Sequence, residues 1–472
     1  MASISARILA SMLNGWRESA SAPAYLALAD RIRLLILDGR IPLGTRIPAE
    51  RDLAAQLAIS RTTVTASYGE LRDAGYLDSL RGSGSVARLP HRASVALDNP
   101  TAGYLDFSKA SLPAIPAVAD AARRAAAELP AYLGESGFDP IGAFVLRAAL
   151  ADRYTARGLP TEPEQIMITI GAQHAIALLS RTLLARGDSA LVESPSYPHA
   201  YEALRLSGAR LVPVNVSTDE GWDEPALEQA LQRTSPALGY LMPDFHNPTG
   251  QSMPIALREK LLAMAERQGT VIVADETMAE LSIDRELDPL PLAAYGPAVL
   301  IGSVGKTVWG GVRIGWIRAE RNVIQRLARS RMAGDLGNPM LEQLVVKNLL
   351  EDFDSILAIR REQLRSGRDY LESSLRAAFP QWTIPHVDGG LTTWVHLGEP
   401  VSSQLTLAAR NEGLLLAAGP RFGLDGAFER FIRIPLGYSH EETDRAVAAL
   451  AAAWTQIAHG AMADHGFLAE VV

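Results

Sequence analysis

The hydrophobic pattern of the chain changes period once, near residue 105. Before that point apolar residues recur at helical spacing. Leu26, Leu28, Ile32, Leu35 and Ile36 predict a helix from Ala24 that Gly39 stops, and Pro42-Leu43-Gly44 predicts a turn. Pro48 opens a second helix with Leu53, Ala54 and Leu57 as its buried stripe. Ala58-Ile59 is a tight turn, after which Ser60 is a natural N-cap for a third helix running to about Ala74. That helix would bury Val64, Tyr68 and Leu71 and present Arg61, Thr62, Thr63 and Thr65 near its start. Gly75-Tyr76-Leu77 ends it, and Leu80 to Val86 predicts a short two-stranded wing with a glycine tip.

Beyond residue 105, helical patterns alternate with short apolar runs at Gln165–Ile170, Ser189–Glu193, Arg210–Val214, Leu238–Met242, Thr270–Ala274 and Ala298–Gly302. Such alternation predicts a layered α/β domain with a mostly parallel sheet, whose ligands sit at the carboxyl ends of the strands. Residues 88–104 lack periodicity and hold two prolines, as an interdomain linker would. The expected division is an extension over 1–23, a helical head over 24–88, a linker over 89–104, an α/β body over 105–458 and a tail over 459–472.

Composition narrows the classes. At 472 residues, with 48% hydrophobic and 21% charged residues, the chain can hold two or three ordinary globular domains. It has no cysteine, which excludes disulfides, thiolate metal sites and cysteine nucleophiles and fits a reducing cytoplasm. Polar Ser11, Asn14 and Arg17 interrupt the apolar N-terminal residues, against a signal peptide, and no apolar run is long enough to cross a bilayer. A soluble cytoplasmic protein with no membrane partner is expected. Residues 1–90 carry eleven arginines and eight acids, a net +3 of the chain's -8, so residues 91–472 carry -11. A basic head on an acidic body suits a nucleic-acid-binding module fused to another domain.

Two short helices and a polar-tipped third make a helix-turn-helix, in which the start of the third helix meets base edges while arginines hold phosphates. A small docking bundle has the same periodicity. The residues favour the former. Ile47 to Ala54, Ile59 to Val64, Gly75-Tyr76-Leu77 and Arg81 to Val86 together resemble the winged helix of the GntR family of bacterial transcription regulators. That resemblance implies a double-stranded DNA operator as partner, with Arg51, Ser60, Arg61, Thr62, Thr63, Arg81 and Gly82 at the interface. Ala49 stands where the family usually has serine, so a cap or phosphate contact is expected to be missing there.

In the body, the polar residues that stand out follow the strands. Thr169 to Ala175 leads from a strand into a helix whose free N–H groups suit a phosphate, although a glycine at such a turn is usually geometry alone. Tyr197 could stack on a planar ring or simply pack; Asn247 could donate to a ring hydroxylate or sit in a plain Asn-Pro turn. Asp275 ends an apolar strand and suits either a protonated pyridine nitrogen or a helix N-cap. Arg433 lies inside an apolar strand, where a carboxylate ligand or an internal salt bridge would satisfy it. Ser303-Val304-Gly305-Lys306 puts one lysine after an apolar strand, with Arg313 seven residues on. A buried lysine must lose its charge or use it in chemistry, and a Schiff base does the latter.

Their order resembles the aspartate aminotransferase superfamily of pyridoxal 5'-phosphate enzymes. Head and body together resemble the MocR subfamily of GntR regulators. The resemblance implies a winged helix-turn-helix joined to an aminotransferase fold of type I, with a mostly parallel central sheet and a smaller C-terminal α+β subdomain. It further implies a Schiff base at Lys306, a pyridine contact from Asp275, a ring-oxygen contact from Asn247 and stacking by Tyr197. Gly171, Ala172, Gln173, Ser303 and Arg313 would hold the phosphate, and Arg433 the carboxylate of an effector. A homodimer and no metal are implied as well. Three departures stand out: Thr277 and Met278 where a tyrosine usually follows the aspartate, Phe138 where a tyrosine often reaches the partner subunit, and Gly305 where many relatives have serine.

Three functions remain open on these grounds. One is a transcription regulator that senses an amino compound through an external aldimine. The others are an active aminotransferase with a vestigial head, and a DNA-binding protein whose body is only a dimerisation scaffold. Intact winged-helix blocks favour the first over the second, and Lys306, Asp275 and Asn247 favour it over the third.

Overall fold

The computed structural model describes residues 3–13, 16–17, 23–37, 39–80, 84–88, 103–285, 289–424 and 426–458. Arg81 and Gly82, residues 89–102 of the expected linker and the tail over 459–472 lie outside them.

The head contains α1 (Ala6–Met12), α2 (Ala24–Leu37), α3 (Glu50–Leu57), α4 (Arg61–Asp73) and an antiparallel pair, β1 (Leu77–Leu80) and β2 (Gly84–Ala87). Leu28, Ile32, Leu35, Ile36, Leu53, Val64, Tyr68 and Leu71 close one core, as the periodicity requires. Part of the N-terminal extension joins it, because Leu9 and Leu13 are fully buried there. Ala49 makes no side-chain cap to α3, whereas Ser60 Oγ accepts the Thr63 N–H at 3.1 Å at the start of α4.

The body begins with β3 (Leu105–Asp106), α5 (Ala117–Glu128) and α6 (Phe144–Ala156). Then strands and helices alternate: β4 (Ile166–Thr169), α7 (Gly171–Leu183), β5 (Ser189–Ser194), α8 (Pro198–Leu206), β6 (Arg210–Ser217), β7 (Gly221–Trp222), α9 (Glu224–Thr234), β8 (Leu238–Leu241), α10 (Ile255–Gln268), β9 (Val271–Asp275), β10 (Val299–Ser303) and β11 (Gly315–Arg318). They form an eight-stranded sheet in the order β4-β11-β10-β9-β8-β5-β6-β7. β11 runs antiparallel to both neighbours, and β7 antiparallel to β6; the remaining pairings are parallel. The strand alternation splits the core in two. Leu191, Leu241, Ile272, Ala274 and Leu300 face α6, α9 and α10. Val192, Tyr240, Val273, Val299 and Ile301 face α7, α8 and α11 (Arg321–Arg331). By the same alternation Asp275 and Ser303 fall on this second face.

After α12 (Met340–Leu350) and α13 (Phe353–Ala378) comes a smaller α+β unit: β12 (Thr392–His396), α14 (Ser402–Asn411), β13 (Leu414–Leu415), β14 (Ala417–Ala418), β15 (Phe431–Pro435) and α15 (His440–Ala458). β12, β15 and β14 make its antiparallel sheet, while β13 pairs with β3 in parallel. Glu429, two residues before β15, meets the head: its carboxylate accepts from Arg31 at 2.9 Å and from the Ser403 N–H at 3.0 Å, with Arg40 at 3.7 Å.

Candidate cofactor and effector site

Lys306 sits on the turn after β10, and its ammonium donates to the Ala110 carbonyl at 2.7 Å. Burial, then the Arg433 charge, lowers its pKa from the ordinary 10.5 to about 8, with Asp275 pulling the other way. A near-neutral amine at mildly alkaline pH is a usable nucleophile.

Asp275 ends β9 at 6% exposure. Its Oδ2 accepts from the Tyr240 hydroxyl at 2.7 Å, and its Oδ1 from the Thr277 N–H at 3.0 Å and the Thr277 hydroxyl at 2.7 Å. The cap-like contact to Thr277 is therefore real, but it occupies only one oxygen. Tyr197, at the start of α8, is pushed up to about 12 by burial and by the Asp275 charge, with Arg433 and Arg313 opposing. These four side chains share one electrostatic environment.

The β4-to-α7 turn is shaped for close approach. Gly171 has φ +78, and a Cβ there would lie 3.1 Å from an Arg313 Nη. Ile170 offers no side-chain cap to α7, which leaves the first-turn N–H groups near Ala172 and Gln173 without one. Arg313, itself left-handed at φ 55, donates to the Ile170 carbonyl at 3.0 Å. Ser303 Oγ bridges the Ile314 carbonyl (3.1 Å) and the Gly305 N–H (3.0 Å). A Cβ at Gly305 would come within 3.2 Å of that hydroxyl, a tight but yielding contact.

Among the described residues, Arg433 lacks the internal salt bridge that was one of its two readings. It is 0% exposed, donates to the Ser108 carbonyl and lies 5.0 Å over the Phe422 ring. Its Nε and Nη1 have no partner, and no carboxylate forms an ion pair with it among the described residues. Burial lowers its pKa to about 10. A buried guanidinium with unmet donors has capacity left for an acceptor such as a carboxylate. Two further buried acceptors are unpaired, Asn247 Oδ1 and Gln173 Oε1.

Residues 101–450 match the aminotransferase class I and II family, and residues 24–86 match the bacterial regulatory proteins of the gntR family. The chain belongs to the aminotransferase class I and II family, carried behind a GntR head in the MocR arrangement. Over 457 residues it is 27% identical to the uncharacterized HTH-type transcriptional regulator YdfD of Bacillus subtilis, spanning 89% of this chain and 94% of that one. It is 30% identical over 311 residues to the 2-aminoadipate transaminase of Thermus thermophilus, spanning 64% and 76%. The crystal structure of LysN, alpha-aminoadipate aminotransferase, from the same organism, complexed with N-(5'-phosphopyridoxyl)-L-leucine, matches with a TM-score of 0.69 at 30% identity, over 77% of this chain and 96% of that one.

The cofactor of the MocR body is pyridoxal phosphate, and the residues present fit it. Gly171 and Arg313 would leave room and charge for a phosphate, the Asp275 carboxyl has lone-pair directions to spare for a pyridine nitrogen, and Asn247 retains an unpaired polar end. Two contributors were missed in the sequence. Tyr240 read as part of an apolar strand, although a buried phenol needs a partner. Ala110 lies just past β3, where nothing suggested a site. The departures also have locations: Met278 is buried in the C-terminal core beside Phe245 and Leu281, and Phe138 is 69% exposed.

In the MocR head, Arg51 (80% exposed) and Arg61 (73%) project from neighbouring helices. Thr62 and Thr65 are exposed and Thr63 is half-buried, its hydroxyl bonded to Ser60 at 2.7 Å. Ser60 also bonds the Thr62 hydroxyl at 2.8 Å, so these three residues brace the helix start. Among the described residues no helix is long and apolar enough to cross a membrane.

Proposed function

We propose that this protein is a DNA-binding transcription regulator whose body senses an amino compound bearing a carboxylate. The observation that carries this is Arg433, buried with unmet donors and near enough to Lys306 for its charge to help depress that lysine's pKa. When bound, pyridoxal phosphate supplies an aldehyde carbon that condenses reversibly with amines. Lys306 would hold that carbon until the effector's amine replaces it, and Arg433 would select effectors by their carboxylate. Gly171, Ala172, Gln173, Ser303 and Arg313 would anchor the phosphate, Asn247 the ring oxygen, and Tyr197 the ring face. Arg51, Ser60, Arg61, Thr62 and Thr63, with Arg81 and Gly82 of the wing, would grip the operator as one half of a homodimer.

A second reading, an active aminotransferase, is supported by the likeness to the 2-aminoadipate transaminase. Against it stands Met278, whose burial leaves no phenol in the segment after Asp275 to assist proton transfer at the ring oxygen. Amino acids and amines are to be added to the purified protein while cofactor absorbance and operator affinity are followed together. The regulator reading expects an absorbance change with carboxylate-bearing amines, a matching change in DNA affinity, and no multiple turnover with keto acids. Loss of the absorbance in Lys306→Ala supports it; turnover at about 1 per second or faster, the ordinary enzyme range, rejects it.

A further inference from the structure

We propose that Tyr240, together with Thr277, is a positioning residue that fixes the Asp275 carboxyl group and aims it at the cofactor's ring nitrogen. This rests on the pyridoxal phosphate reading of the site and extends it to a residue outside the cleft's lining.

Asp275 is nearly fully buried, and no lysine or arginine forms an ion pair with it among the described residues. Three donors reach it, one on Oδ2 and two on Oδ1. The Thr277 N–H can only donate. The Tyr240 phenol keeps its proton, because burial and the Asp275 charge raise its pKa well above 10. Three donors on two oxygens fix the carboxyl plane and replace the water that burial removes. Free lone-pair directions remain, since two carboxylate oxygens offer about four.

The register explains how Tyr240 comes to this task. It pairs across the sheet with Val273, two residues before Asp275, so both side chains stand on the face that carries α7 and α8. On the other oxygen, Thr277 stands among the positions where relatives place a ring-contacting tyrosine. Its hydroxyl turns to Asp275, and Met278 turns into the core. This segment thus gives its one hydroxyl to the ring-nitrogen contact and none to the ring oxygen. The charge so held reaches the cleft, where it raises the pKa of both Lys306 and Tyr197.

A protonated ring nitrogen makes the proton on the Lys306–cofactor linkage more acidic. Weakening Asp275 as an anion should therefore raise the pH at which that linkage titrates. The test measures the pH midpoint of the cofactor absorbance band and the dissociation constant for pyridoxal phosphate in the full-length protein. Tyr240→Phe is expected to raise the midpoint by about half a unit to one unit and to weaken cofactor binding about tenfold, the usual size for a lost hydrogen bond to a charge. Thr277→Val should shift both in the same direction, and Thr277→Ser should restore them. In an Asp275→Asn background, Tyr240→Phe should add no further shift. Should Tyr240→Phe fail to fold, the half-buried Thr277 pair decides alone. Unchanged midpoint and affinity in the folded variants, or a lowered melting temperature as the sole effect, would overturn the inference. Wild-type protein without the band would overturn the cofactor reading along with it.

Discussion

Lys306 shows how burial prepares a residue for chemistry at a cost to the fold. Its folded pKa near 8 lies below the ordinary 10.5, so the folded chain releases this proton earlier than the unfolded one. Below about pH 8 both states hold the proton and the burial cost is fully present. Between about 8 and 10.5 only the unfolded state holds it, and stability from this group rises with pH. Lys306→Met should therefore stabilise the cofactor-free protein at pH 7, by roughly 1 kcal/mol or more, and should lose that pH-dependent gain. Urea unfolding of both proteins at pH 7 and pH 10 checks this; equal stability at both values would mean the amine is not desolvated as described. Gly305, Ser303 and Arg313 owe their places to the same turn, and their spacing made that turn legible in the sequence.

At the scale of elements, legibility followed the type of force. Apolar period located the six main strands, and the capping serine located α4, because both signals are local. β11 was not foreseen, since its pairing between β10 and β4 depends on residues far apart in the chain. Tyr240 was missed for a related reason: its partner is set by the register of β8 on β9. Arg433 was legible as an oddity, yet only β15 in place shows that its donors are unmet. An arginine buried without a carboxylate contributes little to stability, and an apolar replacement of similar volume is often neutral or stabilising. Arg433→Met should thus leave the cofactor-free protein as stable as wild type or more so, while carboxylate-bearing amines bind about tenfold to a hundredfold more weakly. Amines without a carboxylate should bind as before. Equal losses for both ligand classes in titrations would show that Arg433 shapes the cleft and does not read the carboxylate.

On the proposed reading the whole molecule joins an operator-gripping head to an effector-binding body, and at Glu429 the two meet through charge. Arg31 and Arg40 approach it from the head, Ser403 holds it from α14, and β15 carries Arg433 four residues further on. The Arg31 and Glu429 side chains are mostly buried, at 18% and 11% exposure, so this pair is screened far less than a surface one. Removing the charge while keeping the shape leaves two head arginines facing a neutral amide, which should loosen the head without disturbing the cleft. Glu429→Gln is therefore expected to keep wild-type cofactor absorbance and effector affinity, and to keep operator binding by Arg51 and Arg61. What should fall is the coupling between them, the change in operator affinity that effector produces, by about fivefold or more if the contact is worth about 1 kcal/mol. Titrating operator DNA with and without effector, for wild type and variant, measures that ratio directly. A ratio unchanged by Glu429→Gln would place the communication elsewhere, for example in the pairing of two bodies, and leave this contact as an anchor only.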